Sequence, residues 1–311
     1  MPEQVTDTLL MVRPASFGYN AETAANNFFQ NEPPHGSDLQ VTALTLFDNM
    51  VRQLRDCGLR VVVADDSSRP VKPDALFPNN WLATDAQGVV SMFPMYAFSR
   101  RHERREEIIE LLRTHFEVAG VRDWSGSEAD HRFLEGTGSM VMDHANRIIY
   151  ACLSPRTDAG LVSSFARANG YRAVTFTACD AAGRPVYHTN VLMCVGERFA
   201  VVCHAAIKNK EERDTVTGLL RETGHELVEI SLDQVQAFAG NMLQVRNITG
   251  ERLILLSTTA LQALTPQQML QMEKHGRLCS FDVSIIEHVE GGSVRCMLAE
   301  IFLPPKAQAF T

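Results

Sequence analysis

Five times along the chain, at steps of roughly 50 to 55 residues, a polar or glycine-rich knot opens into a short apolar strand and then a hairpin. The knots are Phe77-Pro78-Asn79-Asn80-Trp81, Phe133-Leu134-Glu135-Gly136-Thr137-Gly138, Tyr187-His188-Thr189-Asn190, Phe238-Ala239-Gly240-Asn241 and Glu290-Gly291-Gly292-Ser293-Val294-Arg295-Cys296. A unit repeated at this period cannot bury its apolar face alone and must pack against its own copies. If the units close into a ring, the knots converge on its axis. They are not chemically alike: among them are the carboxylate of Glu135, the imidazole of His188, the thiol of Cys296, and carboxamides in three. Symmetry alone would not call for that spread.

Between the knots, apolar periodicity predicts a strand, hairpin, helix and strand in turn. Helices are expected at 39–57, 102–114, 158–168, 208–223 and 265–274. Hairpins are expected at 81–93, 139–153, 191–203 and 242–257, and closing strands at 59–64, 116–118, 173–177, 226–229 and 278–282. A first strand at 9–12, before a polar loop with Asn20, Asn26, Asn27 and Pro33-Pro34, would pair with a last strand at 296–302 and close the circle. The fold class is therefore α/β: a five-bladed α/β propeller of ββαβ units with its helices outside. Residues 1–311 form one domain, because cutting the ring would leave each half an open sheet edge.

With 45% hydrophobic and 21% charged residues the chain can bury a large core. A net charge of −8 excludes a duplex nucleic-acid partner. The longest basic stretch, Arg100-Arg101 with Arg104-Arg105, alternates with Glu103, Glu106 and Glu107 and reads as a solvated helix face. Met1-Pro2-Glu3-Gln4 lacks a basic signal region, and Leu9-Leu10-Met11-Val12 is too short for a signal core before Arg13-Pro14. No run approaches the roughly 20 apolar residues of a membrane helix. These features predict a soluble cytoplasmic protein with no membrane partner. The sequence leaves self-association into a homo-oligomer open. Seven cysteines without close pairs favour reduced thiols, with Cys194 and Cys203 in the core. His144, His204 and His288 lack metal-ligand spacing, and no Gly-x-Gly-x-x-Gly opens a helix, so no metal and no cofactor is expected.

The thiol, imidazole and carboxylate occupy corresponding knots. A cysteine or a histidine alone is more often a packed core residue than a catalyst. Glu135, between Leu134 and Gly136, needs a partner because an unpaired buried charge is costly. Gathered around one axial pocket, the three suit one reaction: Cys296 attacks an electrophilic carbon, His188 moves protons, and Glu135 binds a nitrogen-bearing substrate. Asn241 has the simpler reading of a turn residue capping the next strand; Asn20, in the loop after the first strand, either reaches an axial ligand or lies on the surface as loop asparagines commonly do.

These motifs, with Arg13-Pro14 and Leu153-Ser154-Pro155-Arg156-Thr157, resemble the amidinotransferase/arginine deiminase superfamily of the pentein fold over nearly the whole chain. Within it the chain looks most like the arginine-deiminase-related branch of citrulline-utilisation hydrolases. The resemblance implies Cys296 as covalent nucleophile, His188 as general acid/base, Glu135 gripping substrate nitrogens and Arg156 as partner of the substrate α-carboxylate. Arginine-processing relatives carry carboxylates in the knot that here holds Asn79-Asn80, and two residues after the catalytic histidine, where Asn190 stands. Asn79, Asn80 and Asn190 then form the substrate-binding set, with Asn80 favoured over Asn79 as the ligand contact.

A guanidinium pairs best with carboxylates, whereas a carboxamide offers a donor and an acceptor and matches a neutral urea. The expected activity is hydrolysis of citrulline, a small-molecule substrate, to ornithine, ammonia and carbon dioxide. The alternatives are a hydrolase of arginine, methylarginine or acyl-arginine, an amidinotransferase, or a protein that binds an amino acid unchanged. Arg295 either tunes the Cys296 thiol or forms an outward salt bridge.

Overall fold

The structure, a computed structural model, describes residues 3–33 and 38–307. Met1, Pro2 and Pro34, which entered the sequence expectations, lie outside them. The described strands form five three-stranded sheets. Four are continuous in the chain: β3 (Leu82–Thr84), β4 (Val89–Met92) and β5 (Gly120–Asp123); β6 (Val141–Asp143), β7 (Ile148–Cys152) and β8 (Arg172–Phe176); β9 (Met193–Val195), β10 (Phe199–Val202) and β11 (Glu226–Glu229); β12 (Leu243–Arg246), β13 (Arg252–Ser257) and β14 (Arg277–Phe281). In each the first two strands are an antiparallel hairpin, and the third runs parallel to the second after a helical crossover.

The fifth sheet joins both ends of the chain. β1 (Thr8–Arg13) is flanked by β2 (Arg60–Asp65), parallel, and β15 (Ala299–Glu300), antiparallel, with Leu9 opposite Glu300. This pairing closes the five-unit α/β propeller. The last strand lies where the repeat requires it but is shorter than expected: the segment around Cys296 is a 3-10 turn, Val294–Met297.

The crossover helices have local start and stop signals. Asp38 caps Leu39–Asp56 by accepting from Val41 N at 3.1 Å, and Asp158 caps Ala159–Asn169 by accepting from Leu161 N at 2.8 Å. Thr265 and Gln268 form a reciprocal capping box at the start of Pro266–Glu273. Each long helix buries one stripe, such as Phe47, Met50, Val51 and Leu54 of Leu39–Asp56, against its own sheet. No helix among the described residues is long and apolar enough to cross a membrane.

Two expectations fail in the second unit. The strand foreseen at 116–118 lies at Gly120–Asp123, because Phe116 still ends the preceding helix, bonding Leu112 O, and bridges Pro305 instead. The helix foreseen from 102 is a 3-10 turn, Ser99–Glu103, then Glu106–His115 after two extended arginines. Nor is its start solvated: Arg100 and Glu103 are each 2% exposed.

Candidate active site

The knots converge on the axis, and each bonds or packs against the next. Asn79 Nδ2 donates to Thr137 Oγ1 at 3.2 Å, and Thr189 Oγ1 donates to Ser139 O at 2.5 Å. Asn241 Nδ2 donates to Asn190 O at 3.0 Å, while Asn241 Oδ1 accepts from Arg295 N at 2.9 Å. The circle closes where Gly292 packs so tightly on the Phe77 ring that a Cβ there would sit 2.6 Å from it. A glycine is required at that contact.

Cys296 is 3% exposed, and two carboxamides hold its sulfur: Asn241 Nδ2 at 3.3 Å and Asn190 Nδ2 at 3.6 Å. Asn241 is therefore more than the turn residue its sequence position implied. It fixes the backbone of the thiol loop with one end and touches the thiol with the other. Arg295 spends its guanidinium on Glu300, at 2.7 Å, and on Leu298 O, which settles its role as a salt-bridging residue.

His188 Nε2 meets Glu135 Oε2 at 2.8 Å, with both side chains fully enclosed. The other carboxylate oxygen accepts from Tyr96 N at 2.9 Å, and Arg156 Nη1 lies 3.5 Å from Oε2. Burial alone would raise the Glu135 pKa, but Arg156, the His188 hydrogen bond and Arg100 outweigh it and hold the carboxyl below the usual range. Burial pushes His188 down to about 4 despite the Glu135 hydrogen bond, with Arg156 and Arg100 adding to the shift. At neutral pH the imidazole is uncharged, in the form that accepts a proton. Oε2 of Glu135 is turned to His188, its immediate partner, while Oε1 accepts a single backbone N–H and keeps acceptor capacity.

Asn80 and His188 share one spot. An added Cβ on Gly138 would lie 2.5 Å from Asn80 Nδ2 and 2.7 Å from His188 Nδ1, so both nitrogens face the space over this glycine. Arg100 Nη1 holds Asn80 Oδ1 at 2.9 Å, leaving Asn80 Nδ2 buried without a partner. Asn79 Oδ1 and Asn190 Oδ1 are likewise buried and unpartnered. A buried donor left unmet beside the His188 ring marks a place built for a polar ligand. Gly138→Ala is expected to lower kcat about 100-fold, since a displacement of about 1 Å at reacting groups costs that much. Steady-state kinetics beside a thermal melt of the purified variant checks this.

Arg156 is brought to the site but is occupied. Its Nε and Nη2 donate to Asn26 Oδ1 at 2.8 and 2.5 Å, Nη2 also donates to Thr23 O, and the guanidinium lies 5.0 Å over the Tyr187 ring. Segment 20–31 crosses the knots: Asn20 donates to Asp74, and Asn27 and Gln30 donate to Glu290 O. Asn20 is thus no surface residue.

Four further residues stand at the site: Asp74 and Tyr96, which no sequence motif marked, and Arg100 and Glu103, whose spacing reads as a solvated face. Arg100 bonds both Glu103 oxygens at 2.8 and 2.9 Å and stands 3.9 Å from Asp74. Burial raises Glu103 to about 7 against the pull of Arg100, and burial beside Asp74 raises Glu290 well above its ordinary value. Asp74 carried the same signal as Glu135, an acid set in an apolar run.

No curated protein matches the sequence. Among solved structures, ArgZ, an arginine dihydrolase from the ornithine-ammonia cycle in cyanobacteria, superposes with a TM-score of 0.75 at 14% identity, over 97% of this chain. The chain spans only 42% of ArgZ. It covers 98% of the substrate-bound N-terminal domain of ArgZ, with a TM-score of 0.74 and 15% identity over 96% of its own length. A dimethylarginine dimethylaminohydrolase variant, as an adduct with S-methyl-L-thiocitrulline, superposes with a TM-score of 0.63 at 14% identity over 97% of this chain and 100% of that one. Those likenesses establish the pentein fold. The sequence family of eukaryotic N,N dimethylarginine dimethylhydrolases matches residues 13–303. The chain therefore belongs to the N,N dimethylarginine dimethylhydrolase family and has the pentein fold.

Proposed function

We propose that residues 1–311 act as one catalytic unit that hydrolyses the ureido group of citrulline to ornithine, ammonia and carbon dioxide. One observation carries this reading: the unpartnered buried atoms Asn79 Oδ1, Asn80 Nδ2 and Asn190 Oδ1 belong to carboxamides and present both donor and acceptor character. A neutral urea has N–H groups and a carbonyl to match them. A guanidinium held by carboxamides in place of carboxylates at Asn79, Asn80 and Asn190 loses about 2–5 kcal/mol relative to a paired cation.

In the proposed reaction the Cys296 sulfur adds to the ureido carbon while neutral His188 takes the thiol proton. His188, oriented by Glu135, passes that proton to the departing amine. Water, deprotonated by His188, then cleaves the remaining C–S bond, and the resulting carbamic acid breaks down. Citrulline plus one water thus balances ornithine, ammonia and carbon dioxide. Asn80 Nδ2 steadies the oxyanion as it forms, and Asn190 Oδ1 accepts from a ureido N–H. Because Cys296 is enclosed, the site opens to admit substrate, and a movement of segment 20–31 would free Arg156 from Asn26 for the α-carboxylate. All described cysteines are free thiols, and a free nucleophilic thiol suits the reducing cytoplasm.

A guanidino substrate is the second reading, favoured by Asp74 and Glu290, buried acids beside Arg100 that a cation would use. Incubation with citrulline, arginine, dimethylarginine and succinylarginine, with ornithine and ammonia measured, separates the two. Ornithine from citrulline is the expected product; citrulline accumulating from arginine would replace the first reading by the second. In the same assay the acid limb of kcat/KM, which reports the free enzyme, is expected near pH 4, where His188 titrates. A pH profile with its acid midpoint at the ordinary histidine value would contradict the burial of the base.

A further inference from the structure

A cavity of about 450 Å³ lies away from Cys296. The first strand of each hairpin runs from a knot to a turn: β3 from Asn80 to Asp85, β6 from Gly136–Ser139 to Arg147. The cavity is lined by those turns together with Thr8 at the start of β1 and the Phe302–Pro305 segment. It opens at the opposite mouth of the propeller, one strand length or about 10 Å from the catalytic knots. Its volume is that of a small-molecule site.

Most charges around it are already matched. Arg60 pairs with Asp7 at 2.7 Å and Arg246 with Glu3 at 3.0 Å. Asp85 closes its own turn by accepting from Gln87 N and Val89 N at 2.9 and 3.0 Å. Arg147 differs, because among the described residues no carboxylate lies within ion-pairing distance of it. Its guanidinium lies 5.1 Å over the Tyr171 ring, interacts with the Tyr171 hydroxyl, and makes a long bond, 3.4 Å, to Asn169 O. Its backbone sits at φ 56°, a left-handed conformation that arginine rarely adopts. Strain of this kind collects at ligand sites. Around it the wall is aromatic: Tyr171, Phe165, Phe116 and Phe302, with the His144 ring 4.8 Å from Phe302 and bonded through Nδ1 to Tyr171 OH at 2.7 Å.

We propose that this basin is a second binding site, for a small organic monocarboxylate with a flat apolar body, its carboxylate on Arg147 and its body against Tyr171 and Phe302. An arginine fork matches a carboxylate, and aromatic walls match a flat ligand. The site is independent of the reaction assigned to Cys296.

The test is calorimetric titration of the full-length protein with 3-phenylpropionate and, separately, with 3-phenylpropionamide. The acid is expected to bind with a Kd below about 1 mM and the neutral amide at least about tenfold more weakly. Arg147→Ala is expected to weaken the acid at least about tenfold, and Arg147→Asn, which tolerates the left-handed backbone, to do the same while melting like the native protein. Absence of binding by the native protein up to about 10 mM would overturn the proposal. So would binding unchanged in both variants, which would assign the acid to Arg156 or another cation.

Discussion

Replacing Cys296 by alanine is expected to lower citrulline turnover by at least about 10⁴-fold, because loss of a covalent nucleophile leaves only binding and oxyanion stabilisation. The fold should survive. The sulfur touches two carboxamides, and the ring of knot-to-knot bonds through Asn79, Thr189 and Asn241 does not pass through it. A small void costs about 1 kcal/mol, a few degrees in Tm. Citrulline should still bind, since Asn80, Asn190 and the His188–Glu135 pair stay in place. Turnover by purified Cys296→Ala, with calorimetry and a thermal melt on the same sample, checks all three. Retained turnover would remove the covalent mechanism; lost folding would make the thiol structural.

Asn80→Asp should reverse substrate preference. Arg100 already holds one oxygen of this side chain at 2.9 Å, so the new oxygen replaces Nδ2 over Gly138, opposite His188 Nδ1. A urea oxygen there loses its donor, whereas a guanidinium gains a countercharge worth about 2–5 kcal/mol. Citrulline kcat/KM is expected to fall about 100-fold and arginine kcat/KM to rise at least about tenfold. The added charge also favours imidazolium. The His188 pKa therefore moves up from about 4, and the acid limb should shift to higher pH in the same variant. An unchanged ratio of the two substrates would show that Asn80 does not face the reacting group.

The ring was legible because each knot combines a turn-forming or polar cluster with an apolar run, a pattern that local chemistry enforces. Glu226–Glu229 falls where the periodicity put it, and the Asp158 and Thr265 caps place their helices within a residue or two. What failed depended on distant partners. Phe116 looks like a strand residue but is claimed by Leu112 O and Pro305. Arg100 and Glu103 have the spacing of a surface ion pair, and only Asn80, Asp74 and Phe77 O, brought in from another segment, show that the pair is buried.

The candidate site divides in the same way. Cys296, His188 and Glu135 were singled out because one chemistry needs all three at matching places, and of these the structure joins His188 to Glu135 at 2.8 Å. Asn241 has an adequate local explanation as a turn residue, which hid its contact with the sulfur. Asn26 and Asn20 lie in a segment with no periodicity, and only the packed chain reveals that they bind Arg156 and Asp74.

Competition between citrulline and arginine for the native protein measures the preference of the amide-lined socket for an uncharged headgroup most directly. A kcat/KM ratio of at least about 100 in favour of citrulline is expected from a missing countercharge of about 3 kcal/mol. A ratio of one or below, with arginine consumed as fast as citrulline or faster, would contradict it.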